Sequence, residues 1–130
     1  MIIDTSALVA LLDQEAEAER IAHVLASTSE RMLSAANLVE VGIVMQVRRG
    51  DDGARDLDLL LSKLRVDIAA VTASQADIAR KAFRRYGRER HPANLNFGDC
   101  FAYALAKDKS ASLLFKGNDF GQTDVMVAPY

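Results

Sequence analysis

Met1-Ile2-Ile3-Asp4-Thr5-Ser6-Ala7-Leu8-Val9-Ala10-Leu11-Leu12 opens the chain and changes character at its fourth residue. Met1 to Ile3 is short, apolar and β-favouring, which reads as a buried strand. Asp4-Thr5-Ser6 then offers side-chain oxygens to the orphan amides of a helix that carries Leu8, Val9, Leu11 and Leu12. The same alternation continues outward. A second helical stretch runs from about Glu15, with Ile21, Ala22, Val24 and Leu25 at helical spacing. Arg31 to Leu33 is predicted as a strand, and Ser34-Ala35-Ala36-Asn37 opens an apolar helix through Val47. Gly50-Asp51-Asp52-Gly53 reads as a turn, followed by a helix marked by Leu57, Leu60, Leu61 and Leu64. Val66 to Val71 is a further strand, and Thr72-Ala73-Ser74-Gln75 has capping-box spacing for a helix to about Arg85. Residues 87–96 are polar and contain Pro92, so they form a loop. Asn96 caps a helix through Lys107, and short strands follow at Leu113–Phe115 and Val125–Val127. Strands separated by helices too long for hairpins predict an α/β fold: a central, mostly parallel sheet of four to five strands flanked by helices on both faces. Ligands of such sheets gather beyond the carboxyl ends of the strands.

The 130 residues suit one domain spanning 1–130, and no repeat or low-complexity linker divides them. Sixteen Lys+Arg against 18 Asp+Glu give a net charge of -2, without the broad basic surface typical of nucleic-acid-binding domains. The single cysteine, Cys100, excludes an internal disulfide and a Cys-rich zinc site and fits a reducing compartment. No apolar run approaches the roughly 18 residues of a membrane span, and the N-terminus lacks a signal-peptide layout. A soluble, cytoplasmic protein is expected.

Most acids, including Asp13, Glu15, Glu17, Glu19, Asp51, Asp52, Asp56 and Asp58, lie in polar stretches where solvation explains them. Four do not. Asp4 ends the first strand. Glu40 interrupts the apolar run Leu38-Val39-Glu40-Val41-Gly42-Ile43-Val44-Met45, where an isolated carboxylate calls for a cation or donor. Asp99 is the third residue of the helix capped by Asn96. At about 100° per residue it lies opposite Phe97, Cys100, Phe101, Ala104 and Leu105, on the side of Ala102, Tyr103 and Ala106, where a ligand would find space. Asp119 follows the strand Leu113–Phe115. Carboxylates converging on one rim repel, and a hard cation with oxygen ligands, Mg²⁺ or Mn²⁺, relieves the repulsion. Such sites serve phosphoryl chemistry. Thr5 and Ser6 are placed to hydrogen-bond the ligating carboxylates.

Ile3-Asp4-Thr5-Ser6-Ala7-Leu8, Glu40, Gly98-Asp99-Cys100-Phe101-Ala102-Tyr103-Ala104-Leu105-Ala106 and Leu114-Phe115-Lys116-Gly117-Asn118-Asp119-Phe120 together resemble the PIN-domain ribonucleases, specifically the VapC toxins of type II toxin–antitoxin pairs. The resemblance covers essentially the whole chain. It implies a PIN-like three-layer domain, a Mg²⁺- or Mn²⁺-dependent endoribonuclease acting on an RNA substrate, a homodimer, and inhibition by a cognate VapB-like antitoxin. Asp4, Glu40 and Asp99 match the first three family acids. Many members carry the fourth where this chain has Gly117; Asp119 is the choice here, with Asp124 as a substitute or outer acid.

Charge is unevenly distributed. The first 19 residues hold five acids and no base, whereas Arg80, Lys81, Arg84, Arg85, Arg88 and Arg90 face only Glu89 between residues 80 and 91. Arg80, Arg84 and Arg88 share one helix edge and Lys81 and Arg85 the next, so this stripe is a candidate RNA contact, with Tyr86 as a base-stacking ring and Lys116 as a further phosphate contact. His91 reads as a loop residue and His23 as a helix residue without a partner. Two other classes fit an acidic pocket: a phosphorylatable receiver-like signalling domain, and a non-catalytic binding module whose acids are helix caps.

Overall fold

Four short strands make one parallel sheet in the computed structural model, which describes residues 1–130: β1 (Ile2–Ile3), β2 (Met32–Ser34), β3 (Asp67–Ala69) and β4 (Leu113–Leu114), in the order β3-β2-β1-β4. Ile2 pairs with Met32 on one side and Leu113 on the other, and Ser34 with Ala69. Because successive strand residues point to opposite faces, β1, β2 and β4 each feed two cores, while the edge strand β3 contributes only Ala69. Ile2 and Leu113, with Met32 packed beside them, face α4 (Ala73–Tyr86) and α5 (Phe97–Lys109). Ile3, Leu33 and Leu114 face α1 (Thr5–Leu12), α2 (Ala18–Ala26) and α3 (Ala35–Lys63). The result is the three-layer α/β arrangement expected.

The predicted turn at 50–53 contracts to one residue. Gly50 alone leaves helical geometry, at φ 60° and ψ -145°, a conformation open to glycine, and Asp51 to Gly53 are already helical, so α3 is two segments meeting at a kink. The strand predicted at 66–71 is only three residues long, and the one at 125–127 is a single pairing of Val127 with Leu113. Thr72 caps α4 by accepting from the Gln75 amide, but the Gln75 side chain donates to Asp108 instead of returning to the cap. The complete capping box is at Asn96 and Asp99. One expectation about helix faces fails, and a second helix carries an apolar stripe on its surface. Val39, Ile43 and Val47, one turn apart on α3, are 62%, 60% and 81% exposed, so that apolar helix is not wholly interior. On α5, Ala102, Tyr103 and Ala106 are buried in the core and leave no ligand space, while Phe97 is 80% exposed. The dense packing of α5 on α4 turns that face inward.

No helix is long and apolar enough to cross a membrane. The mid-chain strands β2 and β3 end at Ser34 and Ala69 without a carboxylate, so the phospho-accepting Asp that a receiver-like domain needs at the end of a mid-chain strand is missing.

Candidate metal-binding active site

Asp4 leaves β1 with its amide donating to the Leu114 carbonyl at 2.9 Å, so the sheet itself sets its position. Its side chain caps α1: Oδ2 accepts from the Ser6 amide at 2.9 Å and from Ser6 Oγ at 2.6 Å. Ser6 Oγ in turn accepts from the Lys116 amide at 2.9 Å. Two chain segments, residues 4–6 and 114–116, thus fix one carboxylate. The residue is only 3% exposed, and its other oxygen, Oδ1, is buried with no hydrogen-bond partner. Burial raises the Asp4 pKa above the ordinary carboxylate range against the lowering effect of the Ser6 bonds, and the Glu40 charge raises it further.

Asp99 is held by the capping box. Its Oδ2 accepts from the Asn96 amide at 2.9 Å while Asn96 Oδ1 accepts from the Asp99 amide at 2.9 Å. Burial pushes its carboxyl up to about 7, helped by the charges of Asp4, Glu40 and Asp119. Glu40 Oε1 accepts from Thr5 Oγ1 and, at 3.2 Å, from Asn37 Nδ2, which also donates to the Gly98 carbonyl at 3.0 Å. Gly98 is the space in which Glu40 sits: a Cβ there would lie 1.8 Å from Glu40 Oε2. The glycine preceding Asp99 is therefore required by the opposite helix and not by a turn.

These groups line one open concavity at the carboxyl end of β1, together with Glu15, Arg48, Asn96 and Lys116. Sequence reasoning missed Asn37, whose only signal is a polar residue inside an apolar helix, and Arg48, which reads as an ordinary surface base. Asp13, Glu15 and Glu17 are not simply solvated. Asp13 pairs with Arg48, and Glu15 and Glu17 pair with Lys116.

The remaining candidates are placed differently. Asp119 is exposed just beyond β4 and reaches the site through its charge on Asp99. Asp124 is not a substitute for it: Tyr103 Oη donates to it at 2.6 Å and Lys107 Nζ at 3.2 Å, with Arg85 at 3.8 Å. The Tyr103 bond holds its pKa below the usual range, and it serves to tie the C-terminal segment to α5. Tyr86 is buried, its ring 5.0 Å from His91 and 5.9 Å from Tyr103, and cannot stack on a base. Arg80, Lys81 and Arg84 are exposed beside Asp77 in a separate depression. Arg88 falls past the end of α4 and leaves the predicted edge.

As placed, no three Asp, Glu, His or Cys side chains form a ready cage for a metal ion. Mg²⁺ does not require one, because it is commonly held by one or two carboxylates and otherwise keeps water. A buried carboxylate oxygen without a donor, beside a second carboxylate of raised pKa, fits that mode.

Residues 1–126 match the PIN domain family model. The chain belongs to the PIN-domain family. Within it the chain is similar to a VapC ribonuclease of Mycobacterium bovis, 50% identical over 96% of this chain and 95% of that protein. It is also similar to a ribonuclease VapC of Mycolicibacterium smegmatis, 52% identical over 96% and 97%. Among solved structures, Mycobacterium tuberculosis VapC20, described as a Sarcin-Ricin loop cleaving toxin, superposes with a TM-score of 0.80 at 20% identity, covering 98% of this chain and 97% of that one. VapBC2 from Rickettsia felis, bound to a promoter DNA fragment, does so at 0.74 and 16% identity, covering 97% and 94%.

Proposed function

We propose that this chain is a metal-dependent endoribonuclease, the toxin of a VapBC-type toxin–antitoxin pair, which hydrolyses phosphodiester bonds in RNA. The observation that carries it is Asp4 Oδ1, a carboxylate oxygen buried without a donor in a concavity shared with Asp99 and Glu40. Asp4 and Asp99 would hold Mg²⁺ or Mn²⁺, with Glu40 and Asp119 adding negative charge around them. When bound, the cation supplies Lewis-acid polarisation of the phosphodiester and a water activated at neutral pH.

The chain's own residues prepare this chemistry. Ser6 holds Asp4 Oδ2 and so keeps Oδ1 available, and Asn96 does the same for one oxygen of Asp99. Thr5 and Asn37 fix Glu40 against Gly98. Of the two cations lining the concavity, Arg48, half exposed beside Asp13, is the one suited to an RNA phosphate, whereas Lys116 is engaged by Glu15 and Glu17. Arg80 and Arg84 extend the phosphate track from their own depression, while Arg85 and Arg88 are weaker members of it. The apolar stripe Val39, Ile43 and Val47 is the surface on which a homodimer would form, and a VapB-like antitoxin is the inhibitory partner.

Cleavage of RNA by the purified chain with Mg²⁺ or Mn²⁺, beside Asp99→Asn, tests the reading; equal cleavage by both proteins overturns it. A non-catalytic binding module would instead show no cation-dependent rise in melting temperature, and Asp4→Asn would change nothing.

A further inference from the structure

Lys116 presents a difficulty that the carboxylate site has to solve. It lines the same concavity as Asp4, Glu40 and Asp99, and its backbone is two hydrogen bonds from Asp4 through Ser6. A flexible four-carbon stem covers that distance, and an ammonium offers three donors. Left unpaired, Lys116 would settle on the acids and occupy the oxygens that a cation needs. Asp4 Oδ1 nevertheless has no partner. The ammonium goes to Glu15 and, at 3.3 Å, to Glu17.

Those two acids are held in place by the connection between α1 and α2. The Glu15 amide donates to the Ala10 carbonyl at 2.9 Å, the Ala18 amide to the Glu15 carbonyl at 3.0 Å, and Gln14 adopts the left-handed region at φ 51°. The connection is a tight turn closing α1, and it sets both glutamates against the end of β4.

We infer that Glu15 and Glu17 are positioning residues that keep the carboxylate oxygens of Asp4 and Asp99 free for metal by drawing the Lys116 ammonium away from them. The inference rests on the reading of those acids as the metal site. It explains why two acids in a polar stretch face inward on a lysine instead of outward on water.

The test is a Mn²⁺ titration of the full chain followed by melting temperature, in a cycle of variants. In E15Q/E17Q the Mn²⁺ concentration giving half the rise should increase about tenfold, the scale at which groups orienting metal ligands act. K116M in the wild-type background should move it by less than about threefold, whereas K116M added to E15Q/E17Q should recover about tenfold, because coupled neighbours are non-additive. Bulk electrostatics alone would give K116M the same factor in both backgrounds, and that additivity would overturn the inference while leaving the metal site intact. No Mn²⁺ shift in the wild type would overturn both. E15Q with and without K116M runs the same cycle if the double variant does not fold.

Discussion

The acid concavity and the basic edge of α4 look equally suggestive as sequence, and the fold treats them differently. Asp4, Glu40 and Asp99 come from residues far apart in the chain, yet each is fixed in place: Asp4 by a strand end and a helix cap, Glu40 by Thr5 and Asn37 in the space left by Gly98, Asp99 by a capping box. Arg80, Lys81, Arg84 and Arg85 are near neighbours on one helix, but they remain long-stemmed side chains beside Asp77 and Asp124, outside the concavity. Convergence that depends on capping and sheet register survives folding, because those geometries are specified to tenths of an ångström. A run of like charges specifies only a face.

Substitutions in the two regions should therefore differ sharply in effect. Asp99→Asn is expected to lower cleavage by about a hundredfold to a thousandfold, of the order seen when a preorganised charge-stabilising group is removed. Arg80→Ala with Arg84→Ala should reduce it by no more than a few-fold; a loss as large as that of Asp99→Asn would place the basic edge inside the reaction centre. Gly98→Ala comes next. Helix propensity alone favours alanine by about 1 kcal/mol, but the new methyl would sit on Glu40 Oε2. A net destabilisation of about 1–3 kcal/mol by chemical denaturation is expected, with loss of activity, and a stabilised variant would show that Glu40 is not held there.

The acids of the concavity should also make stability depend on pH. Metal-free Asp99, with its carboxyl raised from 3.8 to about 7, keeps in the folded state a proton that the unfolded chain releases. The contribution of Asp99 to stability should therefore be full below about pH 4 and fall by roughly a few kcal/mol as pH rises towards 7, whereas Glu17, Asp77 and Asp124, held below the ordinary carboxylate range, act in the opposite sense at the acid end. Asp4, also raised, adds in the same sense as Asp99. Asp99→Asn should flatten the slope in urea denaturation between pH 4 and 7, and saturating Mg²⁺ should restore stability at neutral pH. The smallest effect belongs to the basic edge. Arg80→Ala and Arg84→Ala should each lower the slope of log affinity for single-stranded RNA against log salt, by about 0.7 for every phosphate left unneutralised.

Local chemistry made much of this legible. The apolar run at Met1–Ile3, the caps at Asp4, Ser34, Thr72 and Asn96, and the helical periodicity of the intervening stretches are short-range preferences, and the helices and the parallel, layered sheet followed from them, except that the two helices expected around residues 50–53 join into the kinked α3. Three of the site acids could be named because a carboxylate at a strand end or within an apolar run conflicts with its surroundings. The sequence could not say which face of α5 would be covered, since Ala102, Tyr103 and Ala106 suit a core or a cleft equally until α4 packs on them. Nor could it show that Gly98 exists to admit Glu40, that Asn37 bridges the two, that Asp124 is committed to Tyr103 and Lys107, or that Glu15 and Glu17 hold Lys116. Each of these depends on atoms brought together from distant parts of the chain, and such meetings are decided by packing, where no local preference reaches.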